Sequence, residues 1–154
     1  MTRKPMTKKE DIRRYLFAGN VAQIKLYNNI TGHVLKYVVE REVLFEGYVV
    51  HTDYNKSEWK TELLGTIDAK RPWELLTDKR SMYTPGHVDW RVFAWLLRMI
   101  HLREEPVDDV EIYINDHRCA YCGKELTDSK SLTRGFGPSC WKKVMNYERK
   151  EVTT

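Results

Sequence analysis

Beyond Gly19 the chain alternates apolar and polar positions with a period of two. Ala22, Ile24 and Leu26 stand against Gln23 and Lys25, as in a strand with one buried face. Asn28-Asn29-Ile30-Thr31-Gly32 reads as a turn, because Asn and Gly tolerate positive φ. Val34–Val39 is rich in β-branched residues and predicts the second half of a hairpin. Val43–Val50 is a third strand candidate. Asp53-Tyr54-Asn55-Lys56-Ser57 supplies a turn signal, and Trp59–Thr66 is a fourth strand candidate. The period then changes. Phe93, Leu96, Leu97 and Ile100 recur at helical spacing, widened by Trp90, Trp95 and Met99, and predict a helix over 88–102 whose stripe is core. Thr84 is placed to cap it with Pro85 in the first turn, and Glu104-Glu105-Pro106 ends it. Val110, Ile112 and Ile114 predict a short strand leading into the cysteines. The fold class that follows is α+β: a small antiparallel sheet packed on one main helix, followed by a small metal module.

Charge adds an asymmetry to this picture. Residues 1–14 carry six bases and two acids, and their lack of apolar periodicity predicts a flexible basic arm. Residues 15–116 carry twelve bases and sixteen acids. Residues 117–147 carry six bases (Arg118, Lys124, Lys130, Arg134, Lys142 and Lys143) and two acids. Two basic ends thus flank an acidic middle, a distribution suited to phosphates or to an acidic protein surface. No apolar run approaches the roughly 20 residues that span a bilayer, and no apolar segment follows the basic N-terminus. The expectation is a cytoplasmic protein without a membrane partner. Its oligomeric state is left open.

The candidate chemistry lies near the C-terminus. Three cysteines cannot all pair with one another, so a disulfide scaffold is disfavoured. In Cys119-Ala120-Tyr121-Cys122-Gly123 the two-residue spacing can aim both sulfurs at one tetrahedral centre, and Gly123 fits a tight knuckle. Cys140 follows Gly135-Phe136-Gly137-Pro138-Ser139, where Pro138 starts a helix over about 138–148 with Cys140 in its first turn. The positive end of that helix is expected to stabilise the Cys140 thiolate. The predicted cofactor is a structural Zn²⁺ held by Cys119, Cys122 and Cys140. His117 is the nearest candidate for the fourth ligand, with His101, the weaker donor Asp116, and water as alternatives. A water-completed site resembles a catalytic centre, but three thiolates make zinc a poor Lewis acid. The competing reading is three buried or reactive free thiols, with the Cys-x2-Cys pair also able to act as a redox couple. His33, His51 and His87 read as ordinary surface or partly buried residues.

The segment Cys119, Cys122, Gly123, Leu126, Thr127, Ser131, Gly135, Gly137, Pro138 and Cys140 resembles the C-terminal signature of a family of short proteins without an assigned function, mostly from bacteriophages. Looser similarity extends over residues 18–141. Family members often carry a His slightly upstream of the first cysteine, where this chain has Asn115. The resemblance implies a phage or prophage origin and a zinc-ribbon-like module. It implies no substrate or reaction.

The domain organisation expected is a basic arm over 1–14, an α+β domain over 15–114, a zinc-binding module over 115–148 and a tail over 149–154. The first functional expectation is a non-enzymatic protein that contacts nucleic acid through its basic ends, with Tyr121, Phe136, Trp141 and Tyr147 as aromatic candidates for base stacking. For Phe136 and Trp141 the simpler role is to cover the zinc site. The second is a module that binds and inhibits or redirects a host protein, such as a defence nuclease or the transcription machinery. The third is a nuclease with scattered carboxylates. No Walker loop, Gly-x-Ser-x-Gly elbow or His-Glu-x-x-His motif is present. Glu104-Glu105 and Asp108-Asp109 read as a solvated loop, and His101 as a helix-end residue favoured by the dipole. Replacing Cys122 with Ser is expected to loosen the C-terminal third and leave the sheet largely folded.

Overall fold

The computed structural model of the chain describes residues 4–55, 60–102 and 110–153. Alternation does what the sequence pattern asks of it. In β1 (Val21–Asn28) Ala22, Ile24 and Leu26 are buried while the intervening residues stay half-buried. Asn28 closes the following turn, its side-chain oxygen accepting from the N–H groups of Ile30 (2.9 Å) and Thr31 (3.1 Å). The chain then returns as β2 (Val34–Glu42), paired antiparallel with β1.

The third strand starts later than expected. Val43–Glu46 forms the turn, and β3 (Gly47–Asn55) begins beyond it. The Glu42 carboxylate accepts from the N–H groups of Val43 (2.9 Å) and Leu44 (3.2 Å), which bends the chain before a strand can form. Val43 and Leu44 are left 94% and 87% exposed. Gly47 is the first residue that can rejoin the sheet. A β-carbon there would lie 2.1 Å from the Ile67 carbonyl oxygen. β4 (Lys60–Asp68) pairs with β3. The expected turn residues Lys56 and Ser57, and Trp59, lie outside the described residues, as do Glu104-Glu105-Pro106 and Asp108-Asp109.

α2 (Val88–Leu102) has the predicted bounds and buries Trp90, Phe93, Leu96, Leu97, Met99 and Ile100. The Phe93 ring lies 4.8 Å from that of Tyr37 on β2, and the Tyr37 hydroxyl donates to the Asp89 carbonyl (2.8 Å). Thr84 is not the helix cap. It forms the turn ahead of the helix, where its N–H donates to His87 Nδ1 (3.0 Å). Gly65 on β4 lets α2 approach the sheet. A β-carbon there would meet the Leu76 carbonyl oxygen at 2.5 Å and the Trp90 ring at 2.8 Å. β5 (Val110–Ile114) pairs with β1, so the sheet order is β4-β3-β2-β1-β5 and every pairing is antiparallel. The fold is α+β.

A flexible arm was expected over 1–14; residues 1–3 lie outside the described residues, and the segment from Met6 onward is docked. The Met6 N–H donates to the Ile112 carbonyl (2.7 Å) on β5. α1 (Lys9–Leu16) buries Ile12, Tyr15 and Leu16, spaced i, i+3, i+4. Two turns of helix were too short for the apolar period to register against six surrounding bases. Those bases are not all loose either. Arg13 Nη1 donates to the Ile100 carbonyl at the end of α2, and Arg14 pairs with Asp11 at 2.8 Å. Two further helices follow: α3 (Ser129–Arg134) and α4 (Pro138–Thr153). The backbone of α4 therefore continues through most of the residues expected to be a tail. Side chains of one cluster run without a break from the sheet and α2 through α1 to Cys119, Leu126, Phe136 and Cys140.

His101 also departs from expectation. Burial, and then the charge of Arg13, push its pKa down from 6.5 to about 4, and Nε2 is buried without a hydrogen-bond partner among the described residues. It is therefore neutral, not an imidazolium held by the helix end. On acidification the unfolded chain takes up this proton before the native chain does. The stabilisation is complete above pH 6.5 and is lost as pH falls towards about 4. A His101→Gln protein should show a flatter decline of thermal midpoint across that window than the parent. Gly65→Ala should cost about 1–3 kcal/mol of stability, read as a lowered urea midpoint, because neither the Leu76 backbone nor the Trp90 ring can give way freely.

Candidate metal centre

The chain leaves β5 and folds into a miniature hairpin over residues 117–126. Arg118 bridges Glu125, and the Leu126 N–H donates to the His117 carbonyl (2.7 Å). At its tip the Cys119 N–H donates to the Lys124 carbonyl and the Gly123 N–H donates to the Cys119 carbonyl, both at 2.8 Å. Gly123 has φ +79°, the left-handed conformation that turns the backbone back under the sulfurs.

The third cysteine is delivered by two helices. Asp128 caps α3 by accepting from the Ser131 N–H (3.0 Å), and Gly135 ends that helix at φ +81°. This Asp-to-Gly pairing is a helix signature in the sequence that the pattern reading passed over. Gly135 then accepts from the Ala120 N–H (2.9 Å), while the Ala120 carbonyl accepts from the Asn20 N–H (3.0 Å) ahead of β1. Phe136 is fully buried, and Pro138 opens α4 with Cys140 as its third residue.

The Sγ atoms of Cys119, Cys122 and Cys140 all lie within 4.8 Å of one another. In a tetrahedral thiolate site with bonds of about 2.3 Å, sulfurs sit about 3.8 Å apart, so small side-chain adjustments close the set on one ion. Cys119 and Cys140 are 1% and 6% exposed, and Cys122 is exposed. Burial raises the Cys119 thiol, but backbone N–H groups of Cys122, Gly137 and Tyr121, with the Cys122 thiol, outweigh it and hold the pKa below its ordinary value. Cys140 goes the other way, to about 12. Burial comes first, then hydrogen bonds and charge from Cys122 and Cys119. The expectation that the helix end would ionise Cys140 is therefore not met by the sulfurs alone. Three close thiolates repel unless a cation lies between them. The arrangement could hold a metal ion. The redox reading fits less well, since Cys119 and Cys122 sit in a hairpin and not at the start of a helix.

His117 does not join this group. It is exposed, its Nδ1 lies 3.9 Å from the Asp116 carboxylate, and that carboxylate accepts from the His117 backbone N–H (2.8 Å). His101 is elsewhere, with its ring 5.5 Å from Phe17. Among the described residues the ligand group consists of the three cysteines. The basic candidates surround it. Arg118, Lys124, Lys130, Lys142 and Lys143 are exposed. Arg134 is half-buried, its guanidinium 4.8 Å from the centre of the Trp141 ring. Of the aromatic candidates, Phe136 is core, Trp141 is half-buried against it at 5.7 Å, and Tyr121 is 46% exposed. The side chain of Tyr147 lies outside the described residues.

The sheet is not indifferent to this centre. A β-carbon on Gly135 would lie 2.4 Å from the Tyr15 ring and 3.0 Å from the Ile114 side chain, so α1 and β5 rest directly on the module. Cys140→Ser, or removal of metal by a chelator, should therefore loosen residues 117–145 and α1 together while β2 and β3 keep their protection. Amide exchange followed by mass spectrometry reads this directly. Loss confined to residues beyond 117 would show that the two regions are independent. A metal ion held by the three sulfurs would contribute on the order of 10 kcal/mol to the module's folding.

Comparison with known proteins supplies a family for this part of the chain and no more. No curated protein and no solved structure matches the chain. Residues 115–145, the stretch that carries all three cysteines, match a family of unknown function (DUF6011).

Proposed function

We propose that the chain is a non-enzymatic binding protein whose C-terminal module is held by a structural zinc ion and contacts the phosphates of nucleic acid. Zinc is the metal that three clustered thiolates select most readily in a role without redox change, because it accepts soft ligands and tetrahedral geometry. The fourth ligand is a water or a group outside the described residues. A zinc-ribbon-like character, a bacteriophage origin and a cytoplasmic location belong to the same proposal. The origin rests on the resemblance of residues 119–140.

One observation carries the reading. Arg118, Lys124, Lys130, Lys142 and Lys143 are all exposed on the metal-held module, and none of them makes an ion pair among the described residues. Such cations keep their charge available for phosphates and release counterions when they bind them. The N-terminal bases add less than the sequence suggested, since Arg13 and Arg14 are engaged in the fold.

A second reading is favoured by a different surface. The turn between β2 and β3 exposes Val43, Leu44 and Phe45 together, an apolar tip suited to gripping another protein, such as a host enzyme that the chain inhibits or redirects. No observation favours the nuclease alternative.

The test is fluorescence anisotropy of labelled single-stranded DNA and RNA as salt is raised. Affinity should fall steeply, with a logarithmic slope of about −0.7 per phosphate contacted. Lys124→Glu with Lys130→Glu should lower affinity at low salt roughly tenfold and flatten the slope. No binding at low salt, or affinity indifferent to salt, would refute the reading. Capture of a host protein that survives nuclease treatment and is lost on Leu44→Asp would then favour the apolar tip.

A further inference from the structure

A cleft of about 1090 Å³ opens beside the metal module, between α1, the turn end of β2 and β3, the last turn of α2 and α4. No local pattern points to it, because its lining is drawn from segments spread along the chain from Glu10 to Asn146. Its charge is unbalanced. Arg13, Arg14, Arg41 and Lys143 line it against Glu10 and Glu46, a surplus of two positive charges. Two of the four cations are committed to the fold. Arg13 holds the Ile100 carbonyl, and Arg14 pairs with Asp11 and lies 5.8 Å from the Trp141 ring centre. Arg41 and Lys143 are exposed, make no ion pair among the described residues, and come from different walls, β2 and α4.

The cleft also has an aromatic lining. Phe17 and Tyr48, which meet edge to face at 4.8 Å, line it, and Tyr121 contributes an exposed ring. Tyr121 is one of the two residues between Cys119 and Cys122, so the metal-bound knuckle sets where that ring stands. A cleft that pairs free cations on two walls with an exposed ring has the two elements that a nucleotide unit needs. The phosphate meets the cations, and the base stacks on the ring.

We infer that this cleft seats one nucleotide unit, with Arg41 and Lys143 receiving the phosphate and Tyr121 stacking on the base. The inference rests on the nucleic-acid reading above for its preferred ligand, a single strand whose remaining phosphates lie along the module. A free nucleotide shares the same chemistry. Tyr121 also makes the seat depend on the metal, because the ring loses its fixed position when the knuckle opens.

The experiment uses the full-length, zinc-loaded chain with two probes: fluorescein-labelled oligothymidylate by anisotropy, and thymidine monophosphate by calorimetric titration. Three sets of variants are compared: Arg41→Ala with Lys143→Ala, Tyr121→Ala beside Tyr121→Phe, and Lys124→Ala with Lys130→Ala away from the cleft. All these side chains are exposed, and circular dichroism checks that each protein folds. The Arg41 and Lys143 double variant should bind the strand roughly tenfold more weakly and lose about 1.4 from its salt slope. Tyr121→Ala should weaken the strand at least about fivefold, and Tyr121→Phe should restore it. Strand binding that ignores the cleft variants but falls with Lys124→Ala and Lys130→Ala overturns the cleft and leaves the nucleic-acid reading intact. Thymidine monophosphate bound through Arg41 and Lys143 without any strand binding keeps the cleft and overturns that reading. Neither probe binding overturns both.

Discussion

The contact between Tyr15 and Gly135 holds the molecule together. The ring sits where any side chain at residue 135 would have to go. The Tyr15 hydroxyl accepts from the Gln23 N–H at 3.0 Å and donates to the Gln23 carbonyl at 3.1 Å, so one side chain completes the edge of β1 while its ring rests on the cysteine module. Through this contact α1, the sheet and the cysteines share one continuous core. A domain of this size has little apolar surface to spare, and burying Tyr15 between two parts uses it for both.

The cysteine cluster depends on this frame for its geometry and on electrostatics for its chemistry. Gly135 sets the position of Ala120, and Ala120 sets the spacing of the knuckle from β1. Backbone N–H groups favour the thiolate of Cys119, whereas burial first, and then its two neighbouring sulfurs, drive the Cys140 thiol towards the protonated form. A divalent cation held between them would reverse that balance for all three sulfurs at once, and its binding would be coupled to proton release and to folding of the hairpin between residues 117 and 126.

Around this centre, two surfaces differ in kind. The module presents exposed lysines that make no ion pair among the described residues, while the turn at Val43-Leu44-Phe45 leaves apolar side chains exposed. The cleft joins the first surface to α1 and β2, and it exists only because the N-terminal helix folds back against α2 and α4.

Local periodicity was enough to read β1, the bounds of α2, and β5, because each is set by neighbours a few residues apart, and the Cys-x2-Cys and Gly-x-Gly-Pro-x-Cys spacings were enough to expect the three cysteines to meet. The third strand was misplaced because Val43, Leu44 and Phe45 look like strand residues, whereas the Glu42 carboxylate and the close packing at Gly47 make them a turn. α1 was hidden because two turns of helix carry only three core residues among many bases. The position of His117 outside the sulfur group, the neutral state of His101 and the cleft itself were decided by tertiary structure. Each depends on where segments far apart in the chain come to rest, and on the burial and charge they then impose on one another.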